Sequence, residues 1–268
     1  MKIAVLGVGK LGKALVSSLL DAKVVSPSDL VATAKHEERV KLISDKYGIP
    51  ATTDNKEAVS SADTVLICTK PQTVGEVLTD IKSSVDESAL IISAAASVPI
   101  EFIEAGLDKP VPVIRAMPNM PCLIRKGMTA LCLGTFADRS HLEKADGIFR
   151  QVGRVLVVDE KHMNAVTGLS ASGPAFIYVV IESMAEGGVK AGLPRSVATE
   201  LAAQAVLGGA SMVLETGEHP ALLKDAVTTP AGCTIDGLME LEEGGLRVTL
   251  IKSVVKATER ASELIDNN

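Results

Sequence analysis

Tryptophan is absent from this 268-residue sequence, and only two tyrosines and four phenylalanines are present. Since hydrophobic residues make up 47% of the chain, its core must be built from aliphatic side chains. No run of lysines and arginines occurs, and the formal net charge is −6, which argues against a nucleic-acid-binding surface. No uninterrupted apolar stretch of about 20 residues occurs either, so we expect no membrane span. The chain enters a predicted strand at once, so we expect no secretory signal.

Cysteine is also scarce, and its spacing is uninformative. The four cysteines are Cys68, Cys122, Cys132 and Cys233. They show no C-x-x-C spacing and no histidine at metal-ligand distance, and the four histidines are scattered along the chain. We therefore expect no metal site, reduced thiols and a cytoplasmic location.

Short apolar runs alternate with amphipathic stretches through the first half of the chain. The first run is Lys2–Leu6, and further runs lie at 30–34, 64–68, 89–93, 111–115, 128–133 and 154–158. Stretches with helical periodicity, such as 36–47 and 72–83, separate several of them. Strands that alternate with helices predict an α/β fold with a doubly wound parallel sheet covered on both faces.

After residue 158 the pattern changes to long segments rich in Ala, Leu and Glu, at 161–190, 194–216 and 246–265. The sequence therefore predicts a Rossmann-type domain over 1–158 and an all-helical domain over 159–268. The segment 175–181 is apolar around its whole circumference, which a surface helix does not tolerate. It is either a central core helix or part of a dimer interface, and the small size of the domain favours the dimer.

The segment Gly7-Val8-Gly9-Lys10-Leu11-Gly12 has the G-x-G-x-x-G spacing of dinucleotide-binding loops. Alone the pattern is weak, but here it follows a predicted strand and opens a predicted helix. Gly7 would make the tight turn, Gly9 would let the backbone approach a pyrophosphate, and Gly12 would let helix and strand pack closely. Free N–H groups at the helix start favour the anion, so a dinucleotide is preferred over a merely structural turn.

The end of the second predicted strand bears on which dinucleotide binds. NAD sites place Asp or Glu about 20 residues past the glycine motif, but residues 32–36 read A-T-A-K-H, with no acid before Glu37. A hydroxyl and a cation suit a 2′-phosphate better, which favours NADP(H), with Thr33 and Lys35 as contacts and NAD(H) as the second option. The alternative is that Lys35 only caps a surface loop.

Two further strand ends are expected at the same edge of the sheet, where open α/β sheets bind ligands. Cys68-Thr69-Lys70-Pro71 follows one strand, and Ala94-Ala95-Ala96 follows the next, with small side chains that leave room for a flat ring. Lys70 would touch the cofactor, act as an acid or face solvent, and contact with the cofactor is favoured.

Residues 227–237, V-T-T-P-A-G-C-T-I-D-G, form a turn of hydroxyls and small residues between two helical segments. On pattern alone, helix capping by Thr234 explains the turn. No base accompanies Cys233 in the sequence, so a nucleophilic role for its thiol is not favoured.

Together these motifs resemble the Δ1-pyrroline-5-carboxylate reductase family, and the similarity runs from Met1 to about Leu264. Its most specific part is 227–234, V-T-T-P-A-G-C-T, followed by Ile235 and Leu238. Three supporting motifs occur in the same order, R-A-M-P-N at 115–119, G-L-S-A-S-G-P-A at 168–175 and E-T-G-E-H-P at 215–220.

The resemblance implies a Rossmann domain and a helical substrate-binding domain that interlocks with a second subunit, as a homodimer or an oligomer of dimers. It implies reduction of the cyclic imine of pyrroline-5-carboxylate to L-proline, the last step of proline biosynthesis, with NADPH or NADH. Asn55 is implied as a cofactor-ribose contact, and Lys70, Pro71 and Ala96 as nicotinamide-side contacts. The implied substrate contacts are Glu160, Thr229, Gly232, Cys233 and Thr234.

In such a reductase the cofactor carries the hydride, so the protein binds and orients the substrate without supplying a nucleophile. Amides of the turn would hold the substrate carboxylate, and the Thr234 hydroxyl would hydrogen-bond the ring nitrogen. The chain departs from the common family pattern at Cys233 and at Ala231, where many relatives carry glycine. Ala231 raises the question whether this position requires a positive φ.

The sequence leaves three rival functions. A β-hydroxy acid dehydrogenase of the same plan would carry a lysine in the first interdomain helix, and residues 168–176 contain none; a reductase of other cyclic imines would share the plan. A non-catalytic nucleotide-binding relative is disfavoured, because Thr229, Gly232 and Thr234 are all present.

Overall fold

A computed structural model describes residues 1–266 of the chain. Their contacts divide into two compact units. We call residues 1–172, with the C-terminal segment from residue 256, the sheet unit, and residues 173–255 the helical unit. The predicted boundary between a dinucleotide-binding domain over 1–158 and a helical domain over 159–268 stays a prediction.

Within the described residues the sheet unit has eight strands in the spatial order β3-β2-β1-β4-β5-β6-β7-β8. They are β1 (Ile3–Leu6), β2 (Leu30–Thr33), β3 (Ala51–Thr52), β4 (Thr64–Ile67), β5 (Leu90–Ser93), β6 (Val113–Pro118), β7 (Gly127–Leu133) and β8 (Gly153–Val157). The helices are α1 (Lys10–Asp21), α2 (Glu37–Tyr47), α3 (Asn55–Val59), α4 (Val74–Ile81), α5 (Ile100–Leu107), α6 (Arg139–Phe149) and α7 (Met163–Val166), followed by a π-helical segment at Thr167–Ala171.

The predicted doubly wound α/β fold is confirmed, but the expectation of a parallel sheet is wrong for two strands, β7 and β8. Pairing is parallel from β3 through β6, whereas β7 runs antiparallel to β6, and β8 then pairs parallel with β7. Only residues 119–126 join β6 to β7, which is too short for the crossover connection that a parallel return needs.

Both faces of the sheet are buried, as the apolar runs predict. Along β1, Ala4 and Leu6 pack into one core cluster, while Ile3 and Val5 pack into the other. This alternation follows from the two-residue period of a strand, and it explains why the run contains no polar position. Fixed between two cores, the strands hold their carboxyl ends in a defined row.

The helical unit contains α8 (Gly173–Lys190), α9 (Arg195–Thr216), α10 (Pro220–Ala226), α11 (Cys233–Glu243) and the start of α12 (Leu246–Asp266). Among the described residues, its buried hydrophobic cluster consists of Ala185, Ala198 and Ala202 alone. Many large apolar side chains of this unit are exposed. On α8 and α9 these are Ile177, Tyr178, Val179, Met184, Val197, Leu201, Leu207, Met212 and Leu214.

Two long apolar stretches bear on the expectation that the chain has no membrane span. Residues 160–190 and 195–216 each contain an 18-residue window, with mean hydropathy 1.3 and 1.4, and have the length to cross a bilayer, judged by length and composition alone. The expectation of no membrane span was based on uninterrupted apolar runs only, and it stays a prediction. A single chain leaves this apolar surface uncovered.

Candidate active site

The turn after β1 has the backbone that the glycine motif predicts. Gly7 has φ of +88°, a conformation that side chains disfavour. A Cβ on Gly12 would lie 2.6 Å from the carbonyl oxygen of Gly7, so this position requires glycine. At Gly9 a Cβ would meet no described atom within 4 Å, which leaves open space above the backbone. α1 begins at Lys10 without a side-chain cap on its first amides, so the turn can receive an anion.

Parallel register brings the predicted strand ends together. Leu6 is paired with Thr33 on one side and with Ile67 on the other, and Ile67 is paired with Ser93. The residues that follow, Gly7, Cys68 and Ala94, therefore lie along one edge of the sheet. This is the edge at which open α/β sheets bind ligands.

A cavity of about 420 Å³ opens at the end of β2, and we call it the ribose-side cavity. Its lining residues are Gly7, Thr33, Ala34, Lys35, Thr53, Asn55, Thr69, Thr73, Glu76, Val77 and Asp80. Thr33, Lys35, Asn55 and Thr69 were predicted from the sequence, and the structure places all four here. The Oγ1 atom of Thr69 is buried and has no hydrogen-bond partner among residues 1–266.

Two of the predicted phosphate contacts differ in what they offer. Lys35 is exposed. Thr33 is buried, and its hydroxyl donates to Oδ1 of Asn55 over 2.7 Å. The Thr33 hydroxyl therefore donates its proton to Asn55 and not to a phosphate. Lys35 is the cation that lines this cavity.

The remaining predicted cofactor residues lie after β4 and β5. Lys70 is exposed and precedes a short 3₁₀ turn, Pro71–Thr73, while Cys68 and Pro71 are half-buried. Loss of hydration raises the pKa of the Cys68 thiol to about 12, so this thiol is neutral at pH 7. Ala95 is buried, whereas Ala94 and Ala96 are half-buried.

A second, mostly apolar cavity of about 200 Å³ lies at the start of α1 and the end of β6. Lys10, Leu11 and Ala94 line it together with Ala14, Pro118, Asn119, Met120, Cys122 and Leu123. It joins the glycine turn to the alanine segment, and its apolar walls suit one face of a flat ring. Val8, by contrast, is buried in the core.

Glu160, predicted as a substrate contact, is held by an ion pair with a buried arginine. Arg115 on β6 is 2% exposed, and its Nη1 lies 3.0 Å from Oε1 of Glu160. The same oxygen accepts the backbone N–H of Ile100 at 2.8 Å. Nη2 of Arg115 is buried without a hydrogen-bond partner in the described chain. Burial, and then the charge of Glu160, raises the pKa of Cys132, opposite Arg115 on β7, to about 11.

Two motifs of the predicted family meet at Asn119. Its Nδ2 donates to the carbonyl oxygen of Ser170 at 3.2 Å, and its Oδ1 accepts the N–H of Met128 at 2.9 Å. Ser170 belongs to the π-helical segment, an irregularity that often marks functional sites. The R-A-M-P-N and G-L-S-A-S-G-P-A segments are thus joined by an amide side chain.

The hydroxyl turn leads into α11, whose N-cap is Gly232 without a side-chain cap. Thr234 lies one residue inside the helix, so the capping interpretation of this threonine is wrong. Thr229 is exposed, and a Cβ on Gly232 would lie 2.3 Å from its Oγ1. Ala231 has φ of +56°, which answers the question raised by the sequence: the turn does place this residue in the left-handed region. The first amides of α11 are available to an anion.

A metal site is not apparent in the part of the chain that the structure describes. No group of three or more His, Cys, Asp or Glu side chains is arranged to hold an ion there. The four cysteines are free, with Cys122 and Cys132 buried and Cys233 exposed.

The sheet-edge residues fit a dinucleotide. The open space above Gly9 admits a pyrophosphate, and the uncapped first amides of α1 supply its donors. The orphaned Thr69 hydroxyl offers a hydrogen bond that no described residue takes up.

Comparison with known proteins gives matches in both halves of the chain. Residues 160–264 match the family described as pyrroline-5-carboxylate reductase dimerisation, and residues 2–97 match one described as NADP oxidoreductase, coenzyme F420-dependent. The pyrroline-5-carboxylate reductase of Methanosarcina acetivorans is 43% identical over 263 residues, which are 98% of this chain and 97% of that protein. This chain belongs to the pyrroline-5-carboxylate reductase family.

Solved structures of family members agree with this assignment. A pyrroline-5-carboxylate reductase from Coxiella burnetii is 34% identical, covers 98% of both chains and superposes with a TM-score of 0.92. The Plasmodium falciparum pyrroline carboxylate reductase, solved with NADP bound, is 27% identical, covers 99% of this chain and 98% of its own, and has a TM-score of 0.88. The family and the fold predicted from the motifs are confirmed.

Sequence reasoning missed the residues that α4 contributes to the ribose-side cavity. Glu76 and Asp80 of α4 line it, and so does Thr73, the residue that precedes the helix. Their spacing of three and four residues places them on one face of a helix, directly after a strand whose end was already assigned to the cofactor. That periodicity was the available signal.

Proposed function

We propose that this protein reduces the cyclic imine of 1-pyrroline-5-carboxylate to L-proline, with NADPH or NADH as hydride donor, in proline biosynthesis. The observation that supports this most is a relative with that name, 43% identical over 98% of the chain, which includes both the glycine turn and the hydroxyl turn. The dinucleotide supplies the hydride when bound. The residues of this chain bind, orient and exclude water.

The glycine turn of residues 7–12 holds the pyrophosphate, and Asn55 contacts the ribose. Lys35 faces the 2′-phosphate and favours NADP(H), with NAD(H) also accepted. The nicotinamide lies towards Lys70, Pro71 and Ala94–Ala96, where small side chains leave space beside the sheet edge.

The turn before α11 binds the substrate carboxylate through its uncapped amides, without an arginine. Thr234 donates or accepts a hydrogen bond at the ring nitrogen and orients the imine. A protonated imine already carries the positive charge that attracts hydride, so no strong general acid is required. Glu160, Thr229, Gly232 and Cys233 are the further substrate contacts.

The first experiment follows absorbance at 340 nm with the imine and each dinucleotide in turn. We expect imine-dependent oxidation of NADPH and of NADH. Tight dinucleotide binding without imine-dependent oxidation would identify a non-catalytic relative. Oxidation of NAD(P)H by the carbonyl form of a β-hydroxy acid in place of the imine, or reduction of NAD(P)+ by the β-hydroxy acid itself, would favour the β-hydroxy acid dehydrogenase.

Thr234→Ala tests the role of the hydroxyl. Loss of one oriented hydrogen bond to the reacting group is expected to lower kcat/KM about 10- to 100-fold. Thr199→Ala is the control, since the exposed Thr199 hydroxyl donates to the carbonyl oxygen of Arg195, one turn earlier in α9. Unchanged kcat and KM in Thr234→Ala would remove this residue from the mechanism.

We further propose that the helical unit is completed by a second copy, as a homodimer or an oligomer of dimers. Its buried cluster of three alanines is too small to stabilise long helices, and the exposed apolar side chains of α8 and α9 extend over both helices. The matched family description names dimerisation over these residues.

With four unpaired thiols in the described chain, we place the enzyme in the cytoplasm, to be checked by cell fractionation.

Sedimentation velocity of Leu201→Glu tests the interface, with Leu42→Glu as a matched control. Leu201 on α9 is 56% exposed and Leu42 on α2 is 61% exposed, but only the first belongs to the helical unit. We expect Leu201→Glu to dissociate or unfold the dimer, while Leu42→Glu remains dimeric. A monomeric wild-type protein, or one found only with membranes, would contradict the proposal.

A further inference from the structure

Helix α4 directs two carboxylates into the ribose-side cavity. Glu76 and Asp80 are four residues apart on α4 and both line the cavity. The cation that lines it is Lys35, so the described lining carries more negative than positive charge. Dinucleotide sites usually take their acid from the end of the second strand, and this chain has none there.

Asp80 is also part of an ordered polar chain. Nδ2 of Asn55 donates to Oδ2 of Asp80 at 3.1 Å, while Oδ1 of Asn55 accepts the Thr33 hydroxyl at 2.7 Å. A carboxylate only accepts, so Asp80 fixes which end of the Asn55 amide faces it. Lys56 lies 3.7 Å from Oδ1 of Asp80 and neutralises part of its charge.

The two dinucleotides differ at this point by one group. NADH presents a 2′-hydroxyl, which donates to an acceptor, whereas NADPH presents a phosphate with a charge of about −1.5 to −2 at pH 7. Lys35 attracts that phosphate, and carboxylates in the same cavity repel it. Lys35, which follows β2, therefore favours NADPH, and the carboxylates of α4 disfavour it.

We propose that Asp80 is a specificity-determining residue, which orients Asn55 towards the ribose and whose charge limits the binding of the 2′-phosphate. The acid missing from the end of β2 is supplied from α4. This inference rests on the proposed dinucleotide function and deepens it, since Lys35 alone does not set the cofactor preference.

The test is a fluorescence titration of each reduced dinucleotide into the enzyme without imine, so that binding is read independently of turnover. Asp80→Asn keeps the shape and an acceptor oxygen and removes the charge. We expect the Kd for NADPH to fall about 10-fold at low salt while the Kd for NADH changes less than about 3-fold. Lys35→Gln is expected to shift the NADPH Kd in the opposite direction.

Asp108→Asn is the matched control, because it changes net charge equally but pairs with Lys82 outside the cavity. Asparagine also tolerates the left-handed backbone of this position, where φ is +56°. Both Kd values should stay within about 2-fold of wild type. Glu76→Gln is the second variant, because it removes the charge of a lining residue that is not hydrogen-bonded to Asn55. The Kd for NADPH should again fall.

The outcomes separate this inference from the proposed function. If wild type oxidises NAD(P)H with the imine but Asp80→Asn changes both Kd values alike, Asp80 merely supports the cavity and the inference is wrong. It is equally wrong if the NADPH Kd is unchanged in both Asp80→Asn and Glu76→Gln. If wild type binds neither dinucleotide, the proposed function fails with it.

Discussion

Removing Glu160 should destabilise the protein more than removing its partner Arg115, although both break the same ion pair. Glu160→Met leaves a guanidinium that is 2% exposed without a counter-charge, and it leaves the Ile100 N–H without its acceptor. Stranding a buried charge costs about 3–5 kcal/mol. Arg115→Met instead leaves a carboxylate whose side chain is 36% exposed and which keeps the Ile100 N–H, so we expect about 1–2 kcal/mol.

The double variant sharpens this prediction. Arg115→Met/Glu160→Met contains no stranded guanidinium, so it should be more stable than Glu160→Met alone. Urea unfolding followed by circular dichroism at 222 nm gives the free energies, since the chain has no tryptophan to report by fluorescence. Arg139→Met is the control, because the Arg139–Glu143 pair is 91% and 67% exposed and should contribute less than about 0.5 kcal/mol. Additive single effects, or a larger cost for Arg115→Met, would refute the reasoning.

Three further predictions follow from backbone geometry and from titration. Ala231→Gly should stabilise the turn by about 0.5–1 kcal/mol, since φ there is +56°, and an unchanged or lower urea midpoint would contradict this. Gly12→Ala should weaken dinucleotide binding at least about 10-fold by fluorescence titration, because its Cβ would lie 2.6 Å from the Gly7 carbonyl oxygen and force the turn open. Burial raises the pKa of Cys132 to about 11, so the unfolded chain loses this proton first and stability should fall as pH rises from about 9 to 11. The fall in melting temperature should be smaller in Cys132→Ala, and an equal fall would exclude this thiol as its cause.

The sequence predicted the strands well where both faces are buried. The runs at 64–68 and 89–93 became β4 and β5 within one residue at each end, because uninterrupted apolar residues suit a strand between two cores. β3, with two half-buried residues, left no such signal. The antiparallel β7 depends on the length of a connection rather than on the strand's own residues.

Local motifs located the candidate site, but partnerships across the fold were beyond them. The glycine spacing fixed the turn at residues 7–12, since the positive φ of Gly7 and the close approach at Gly12 are backbone features that the motif itself encodes. That Thr33 donates its hydroxyl to Asn55, or that Arg115 meets Glu160, depends on segments far apart in the chain. Periodicity cannot supply such pairings, which arise only when strands and helices are assembled.

The alanine-only core of the helical unit has a consequence for how the enzyme is made. In the homodimer proposed above, two chains complete each other's core, so the helical units should become stable only after the chains meet, and this part of folding should be bimolecular. Refolding after dilution from urea should then accelerate with protein concentration, while formation of the sheet unit should not. In the cell, newly made chains would expose α8 and α9 until they meet a partner, and that interval is when proteases and aggregation compete with assembly.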